Sequence, residues 1–390
     1  MSREFDVVVY GATGFTGRLV AEYLNTQYAG SDIKWAMAGR SQDKLESVRS
    51  EMGISSDIPL IVANSNAPST LADMASRAKA ICTTVGPYQL YGDPVIEACV
   101  SQGTDYVDLS GEPAWMHDTI EKYDTLAKES GARIVHSCGF DSIPFDLGVY
   151  YMQKHAIANH GGACPAVRGR VRKMKGMFSG GTAASFFETM KRAGMQPEVL
   201  NWLKDPFSLT PDFSGPPQPT GHKPIFEADL DSWSAPFIMA SINTKNVHRS
   251  NALLGHMYGA DFTYDEMVLT GPGEQGEAAA HHVANDKSMA TNPPKPGEGP
   301  SKEERETGFY DVMYVGKAPD GHRIIASVSG DKDPGYGSTS KMIAEAALCL
   351  ARDIDRSVTP GGVYTPAPAM GEALIKRLEA NAGLKFSIES

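Results

Sequence analysis

Asp6-Val7-Val8-Val9-Tyr10-Gly11-Ala12-Thr13-Gly14-Phe15-Thr16-Gly17 decides how this chain folds. A β-branched run stops at a glycine turn, and an apolar-periodic helix (Leu19, Val20, Tyr23, Leu24) begins inside that turn. Strand, turn and helix in this order are the context that a dinucleotide-binding loop requires. Gly11 permits the tight turn, Gly14 lets backbone approach a pyrophosphate, and Gly17 lets the helix pack closely on the strand. Free N–H groups and the positive end of the helix dipole would hold the phosphates. The spacing is G-x-x-G-x-x-G rather than G-x-G-x-x-G, which implies a slightly wider first turn. A glycine-rich turn without a ligand is the alternative.

The next strand decides which dinucleotide. Residues 33–38 read as a strand that ends in Gly39-Arg40-Ser41. An NAD-binding loop normally places a carboxylate here to accept the ribose hydroxyls. A carboxylate would repel a 2′-phosphate, whereas a guanidinium and a serine hydroxyl can hold it. The expectation is therefore NADP(H). The alternative for Arg40 is a solvated cation near the following helix.

Composition sets the bounds. A chain of 390 residues can bury a large core and suggests two or three domains. Its net charge of −11 excludes a general nucleic-acid binder, because phosphate neutralisation needs a basic field. The local exception is the basic run 168–175, read as a strand with a solvated cationic face, an anionic substrate or membrane surface being the alternative. Five scattered cysteines without a C-x-x-C pair suit a reducing compartment and argue against disulfides or zinc. No histidine spacing suggests a metal. The first strand follows the N-terminus directly, which leaves no room for a signal peptide, and no apolar run is long enough to span a bilayer. The expected location is cytoplasmic, with at most a peripheral membrane contact.

Alternation of strands (5–10, 33–38, 58–62, 80–84, 106–109, 133–137) with helices predicts an α/β fold with an N-terminal Rossmann-type, doubly wound parallel sheet over 1–148. Three consecutive crossover loops carry polar groups beside glycines: 85–94, 108–113 and 138–146. A second α/β domain with a mixed sheet is expected over 149–334. It should contain strands at 168–174 and 235–243 and helices at 182–193 and 198–203. Residues 206–236 should be mostly loop, and 271–308 an extended or disordered excursion. A hairpin follows at 309–315 and 323–329, then a strong helix over 338–352.

With these motifs in place, the chain resembles the saccharopine dehydrogenase-like oxidoreductases, in particular the bacterial branch of trans-acting enoyl reductases. Blocks 11–17, 85–88, 106–112, 139–148 and 335–350 carry the resemblance, supported by Gly180-Gly181-Thr182 with Ser185 and by 361–374. It implies a Rossmann domain, a larger domain with a mixed sheet, and C-terminal segments (335–390) that return to the first domain. It also implies NADPH-dependent reduction of a carbon–carbon double bond in a lipid- or polyketide-derived acyl substrate. A saccharopine-type C–N oxidoreductase and a non-catalytic NADPH-binding scaffold stay open as alternatives. The chain departs from the branch at Asn64, where an aspartate near the adenine is usual, and across 271–308.

The expected cofactor-binding residues are Gly11, Thr13, Gly14, Phe15, Thr16, Gly17, Gly39, Arg40, Ser41, Val85, Gly86 and Pro87. Tyr88 is the first candidate for a proton donor; otherwise it is a packing aromatic bonded to a backbone carbonyl. Asp141 and Ser142 could orient the carboxamide or the substrate carbonyl, or cap a helix. Glu112 serves as acid or base only if burial raises its pKa. Gly180-Gly181-Thr182 could form an anion-holding turn over the cofactor, Tyr336 could close the pocket, and His136 reads as a satisfied core histidine. No metal is expected. The expected partner is a small-molecule or acyl-lipid substrate, with a homodimer left open and no nucleic acid.

Overall fold

In this computed structural model, which describes residues 3–140, 142–176, 180–286, 288–291 and 299–390, the opening strand β1 (Phe5–Tyr10) is buried at every position. On one side it pairs in parallel with β2 (Trp35–Gly39), which β3 (Leu60–Val62) flanks in turn. On its other side lies β4 (Ala78–Thr83), also parallel. β5 (Asp105–Val107) and β6 (Arg133–Val135) extend the sheet beyond β4. A near-continuous apolar run such as Val7-Val8-Val9 fits a strand covered by helices on both faces. The chain runs from β1 towards β2 on one side and resumes at β4 on the other. The topological switch, where doubly wound sheets open a ligand crevice, therefore lies at the carboxyl ends of β1 and β4.

A second sheet takes β7 (Ala166–Lys175), β8 (Ile225–Glu227), β9 (Ser232–Pro236), β10 (Thr263–Gly271), β11 (Phe309–Lys317) and β12 (Arg323–Gly330). β7 and β10 are parallel and the other pairings antiparallel, so the sheet is mixed. The last two strands divide between the sheets. β13 (Gly362–Tyr364) pairs parallel with β6, and β14 (Leu384–Ile388) pairs antiparallel with β12. The resulting orders are β13-β6-β5-β4-β1-β2-β3 and β14-β12-β11-β7-β10-β9-β8. One apolar cluster runs through both sheets.

Polar groups tie the C-terminal segment to the first helix. Glu345, fully buried, accepts from Tyr23 (2.7 Å), Tyr28 (2.5 Å) and Arg377 (2.6 Å). Arg133 pairs with Asp105 and also donates to the carbonyls of Leu350 (2.7 Å) and Ile354 (2.8 Å). A buried charge removed from water needs this degree of satisfaction.

The structure corrects several expectations. The basic run is solvated at Lys173 and Lys175 but not at its arginines. Arg170 is 1% exposed and bound by Glu227 (2.6 Å) and Asp265 (3.0 Å), while Arg168 pairs with Glu227 and Asp229, and Arg172 with Asp311 and Glu389. Residues 235–243 are not one strand, because β9 ends at Pro236 and the helix Ala240–Leu253 begins. That helix buries Asn243, Lys245, Asn246, Arg249, Ser250 and Asn251, each hydrogen-bonded to a part of the chain outside the helix. Arg249 donates to the carbonyls of Leu209 (2.6 Å) and Val363 (2.5 Å), and Asn251 accepts from the Tyr258 amide (2.8 Å). Within 271–308, Gly273–Asn285 is helical, its Glu274 and alanines outweighing the flanking glycines and proline, and Lys302–Thr307 forms a helix with a Ser301/Glu304 capping box. Residues 292–298 lie outside the described residues. Among the described residues no helix is long and apolar enough to cross a membrane.

The helix Phe15–Gln27 lies against β1 at Gly17, where a Cβ would stand 2.1 Å from the Gly11 carbonyl oxygen. Backbone cannot yield as a side-chain tip can. Gly17→Ala is expected to destabilise the fold by about 3 kcal/mol, the upper end of overpacking costs. Urea unfolding measures this, and a loss below about 0.5 kcal/mol, the scale of a neutral surface change, would contradict the close contact.

Candidate active site

The turn after β1 is held by backbone. The amides of Gly11 and Ala12 donate to Ala38 O (3.0 and 3.1 Å), and the Gly14 amide donates to Gly11 O (2.9 Å). Gly11 sits at φ 91°, where an L side chain would be strained, and its Cβ would meet Val85 at 2.7 Å. Gly14 is exposed and precedes the helix without any side-chain cap. The amides of Phe15, Thr16 and Gly17 consequently have no acceptor among the described residues. Uncapped first-turn donors at the positive end of a helix form an anion site, and an exposed glycine keeps the approach open. The donor set fits the pyrophosphate of NADP(H). Thr13 helps to fix the loop, its carbonyl accepting from Arg18 Nε (3.2 Å).

At the end of β2, Gly39 packs near Leu45 and Thr13. Arg40 follows, exposed and without a hydrogen bond or ion pair among the described residues. Ser41 caps the helix Gln42–Glu51, accepting from the Lys44 amide (3.4 Å). The uncommitted guanidinium is the group suited to a 2′-phosphate. Asn64, after β3, is spent on its own turn, its Oδ1 accepting from the Asn66 amide (3.0 Å).

Loops after β4 and β5 are locked together by one carboxylate. Glu112, 1% exposed, accepts from the amides of Tyr88 (2.8 Å) and Gln89 (2.9 Å) and from Ser185 Oγ (2.6 Å). Burial pushes its carboxyl up, opposed by those donors. Glu112 therefore fixes the turn carrying Val85, Gly86 and Pro87 at the crevice and ties it to the helix Gly180–Met195. Asp108 does similar work between β5 and β6, accepting from Tyr106 OH, the Ser110 and Ser137 amides, and His136 Nδ1 (2.7 Å). His136 is the satisfied core histidine expected, with Nε2 against Thr119 Oγ1 (2.9 Å).

Two catalytic candidates take other roles. Tyr88 is buried; its hydroxyl donates to Thr83 O (3.2 Å) and accepts the Leu109 amide (3.0 Å), and its ring stacks on Trp115. That is the packing reading, and it leaves no proton directed into the crevice. Ser142 is also fully buried, its Oγ facing Asn243 Oδ1 (3.3 Å) and accepting from Asn246 Nδ2. It makes no side-chain cap on the helix Ile143–Asn159. Asp141 lies outside the described residues.

Beyond Ser142 runs a buried polar chain that sequence reasoning misses. Asn243 Nδ2 donates to Glu266 Oε2 (2.9 Å), and Tyr264 OH donates to Glu266 Oε1 (2.9 Å). A signal exists, since Val247 stands between two polar runs, 243–246 and 248–251, but without a known partner these read as surface. Burial raises Glu266 from about 4.5 to about 8, against the pull of Asn243 and Tyr264. Asp146, which accepts the Ala367 amide (2.8 Å), rises to about 7 for the same reason. Tyr336, also expected at the pocket, lies edge-on to Phe15 at 4.6 Å.

Two outcomes follow from this geometry. Arg40→Ala should weaken NADPH about tenfold or more and NADH by less than twofold, because only NADPH carries the phosphate that pairs with the guanidinium. Calorimetric titration decides, and equal weakening of both would remove Arg40 from the site. A carboxyl raised on folding adds stability below its unfolded pKa of about 4.5 and loses it as pH rises towards about 8. Glu266→Gln should therefore gain relative to wild type in melting temperature between about pH 5 and about pH 9. A pH-independent difference would contradict a raised Glu266.

A family profile for the saccharopine dehydrogenase NADP binding domain matches residues 7–135. A putative trans-acting enoyl reductase of Mycobacterium tuberculosis is 42% identical over 409 residues, covering 97% of this chain and 96% of that protein. The trans-acting enoyl reductase of Mycobacterium ulcerans is 38% identical over 404 residues, with 96% of each covered. Among solved structures, saccharopine dehydrogenase (L-Glu forming) of Saccharomyces cerevisiae matches with a TM-score of 0.53 at 12% identity, over 98% of this chain and 99% of that one. Homospermidine synthase of Legionella pneumophila, in complex with NAD, also gives 0.53, at 8% identity over 98% and 92%. At such identities the structural likeness speaks for the fold alone, a Rossmann sheet joined to a mixed sheet. Sequence identity sustained from end to end speaks for more: the chain belongs to the trans-acting enoyl reductase family of NADP-binding, saccharopine dehydrogenase-like oxidoreductases.

Proposed function

We propose that this protein uses NADPH to reduce a carbon–carbon double bond conjugated to an acyl carbonyl in a lipid- or polyketide-derived substrate. The observation that carries this reading is the near full-length identity to proteins named trans-acting enoyl reductases. NADPH, when bound, supplies the hydride. The chain's own part is to hold and orient. The amides of Phe15, Thr16 and Gly17 take the pyrophosphate, and Arg40 takes the 2′-phosphate. The turn of Val85, Gly86 and Pro87, braced by Glu112, walls the crevice between β1 and β4. Tyr88 and Ser142 are positioning residues that fix the loops after β4 and β6.

Surface chemistry beside the crevice favours a hydrocarbon substrate. Leu90 and Tyr91 are exposed next to the braced turn, and Phe186, Phe187 and Met190 are exposed on the helix Gly180–Met195. Gln89 to Thr189 (3.2 Å) and Ser185 to Glu112 bind that helix to the turn. Clustered exposed apolar side chains mark a binding surface. The C–N alternative needs free cations to clamp several carboxylates, and Arg168, Arg170 and Arg172 are all engaged by the chain's own acids. Five buried, unpaired cysteines support a cytoplasmic location.

The test is deuteride transfer from 4-deuterated NADPH to 2-enoyl thioesters of graded chain length, read by mass spectrometry. One deuterium at the β-carbon of the saturated product, with rates rising with chain length, is expected. NADPH that binds yet is oxidised by no enoyl substrate contradicts the proposal and favours a scaffold. Oxidation with an amine and an oxo acid instead favours C–N chemistry.

A further inference from the structure

Residues 299–308 lie over the phosphate loop. Phe15, the first residue of its helix, is held between three groups: the Tyr336 ring at 4.6 Å, the Arg305 guanidinium 5.6 Å from the ring centroid, and Gly299. A Cβ on Gly299 would stand 2.7 Å from the Phe15 ring, so the approach is close. Backbone secures the segment at its far end, where the Arg305 carbonyl accepts the Asp333 amide (3.0 Å). The Ser301/Glu304 capping box stiffens the helix Lys302–Thr307 that carries Arg305. Gly308 is pinned against Asp333, where a Cβ would lie 2.3 Å from its Cα.

Arg305 is placed by this frame without a direct ion pair, the Asp333 carboxylate feeling its charge only through space. Its guanidinium donates to the Pro300 carbonyl (2.7 Å), and no carboxylate lies within 4.0 Å of it among the described residues. Neighbouring acids are engaged elsewhere: Glu304 closes the capping box, Glu306 pairs with Lys302 (3.8 Å), and Asp333 accepts from the Tyr336 (3.2 Å) and Gly337 (2.6 Å) amides. This half-buried guanidinium, stacked on the ring of the phosphate loop, has more donors than that one carbonyl can take. That ring belongs to the first residue of the uncapped turn formed by Phe15, Thr16 and Gly17.

We propose that Arg305 is a cofactor-binding residue contributed by the second half of the chain, which neutralises the dinucleotide pyrophosphate from above while the helix amides hold it from below. The inference rests on the NADP(H) reading of the loop. Because the pyrophosphate is common to both nucleotides, Arg305 supplies affinity without selecting between them, whereas Arg40, at the end of β2, selects. The segment 299–308 thereby makes nucleotide binding depend on a part of the chain far from the Rossmann sheet in sequence.

Calorimetric titrations of full-length wild type, Arg305→Met, Arg305→Ala and Arg305→Lys with NADPH and with NADH test this. Methionine keeps the stem over Phe15 and removes only the charge. Met and Ala variants should each lose about tenfold in affinity for both nucleotides, with Lys restoring most of it. Melting temperatures without nucleotide should stay within about 2 °C of wild type, as for a surface change. Retained affinity in Arg305→Met overturns the proposal and leaves Arg305 a packing residue. Loss for NADPH alone overturns it in favour of a 2′-phosphate contact. Failure of wild type to bind either nucleotide is a different result, which refutes the cofactor reading before any variant is compared.

Discussion

The contact between Gly17 and the Gly11 carbonyl is the constraint on which the rest of the site depends. It seats the first helix so deep against β1 that the amides of Phe15, Thr16 and Gly17 emerge at the mouth of the β1–β4 crevice. Any side chain at position 17 would lift that helix and turn the donors away. The same seating brings Tyr23 and Tyr28 onto Glu345. A helix more than three hundred residues away in sequence is thereby joined to the phosphate loop. β13 completes the first sheet and β14 the second, so the C-terminal segment stitches the two halves together.

Buried polar groups, rather than apolar packing alone, set the positions of the crevice loops. Glu112 fixes the turn after β4, Asp108 joins the loops after β5 and β6, and Glu266 anchors Ser142 through Asn243. Each has both carboxyl oxygens bonded, and losing a donor would leave a costly unsatisfied acceptor in the interior. Such groups specify geometry because few other arrangements satisfy them. They also make the protein sensitive to alkaline pH, since Asp146 and Glu266 are held towards their neutral forms.

Local pattern makes the first sheet legible. Val7-Val8-Val9 before a glycine turn, strands alternating with periodic helices, and Gly39-Arg40-Ser41 at the second strand's end all depend on neighbours in sequence. The second half depends on distant ones. Polar residues across 240–251 look like surface until the carbonyls of Leu209 and Val363 are placed beside them. Arg170 looks solvated until Glu227 and Asp265 arrive from other strands. Tyr88 stands out in the sequence, but its task does not, because the Leu109 amide that occupies its hydroxyl comes from the next crossover loop. Arg305 gives no local sign at all, its meaning coming from Phe15 across the fold.

The central claim is that NADP(H) lies on this glycine loop, with its 2′-phosphate read by Arg40. A crystal structure of the protein with NADPH tests it most directly. The account predicts pyrophosphate oxygens within hydrogen-bond distance of the Phe15, Thr16 or Gly17 amides, and the 2′-phosphate on the Arg40 guanidinium. A dinucleotide bound away from the β1–β4 crevice, or with its 2′-phosphate turned to solvent opposite Arg40, would contradict it.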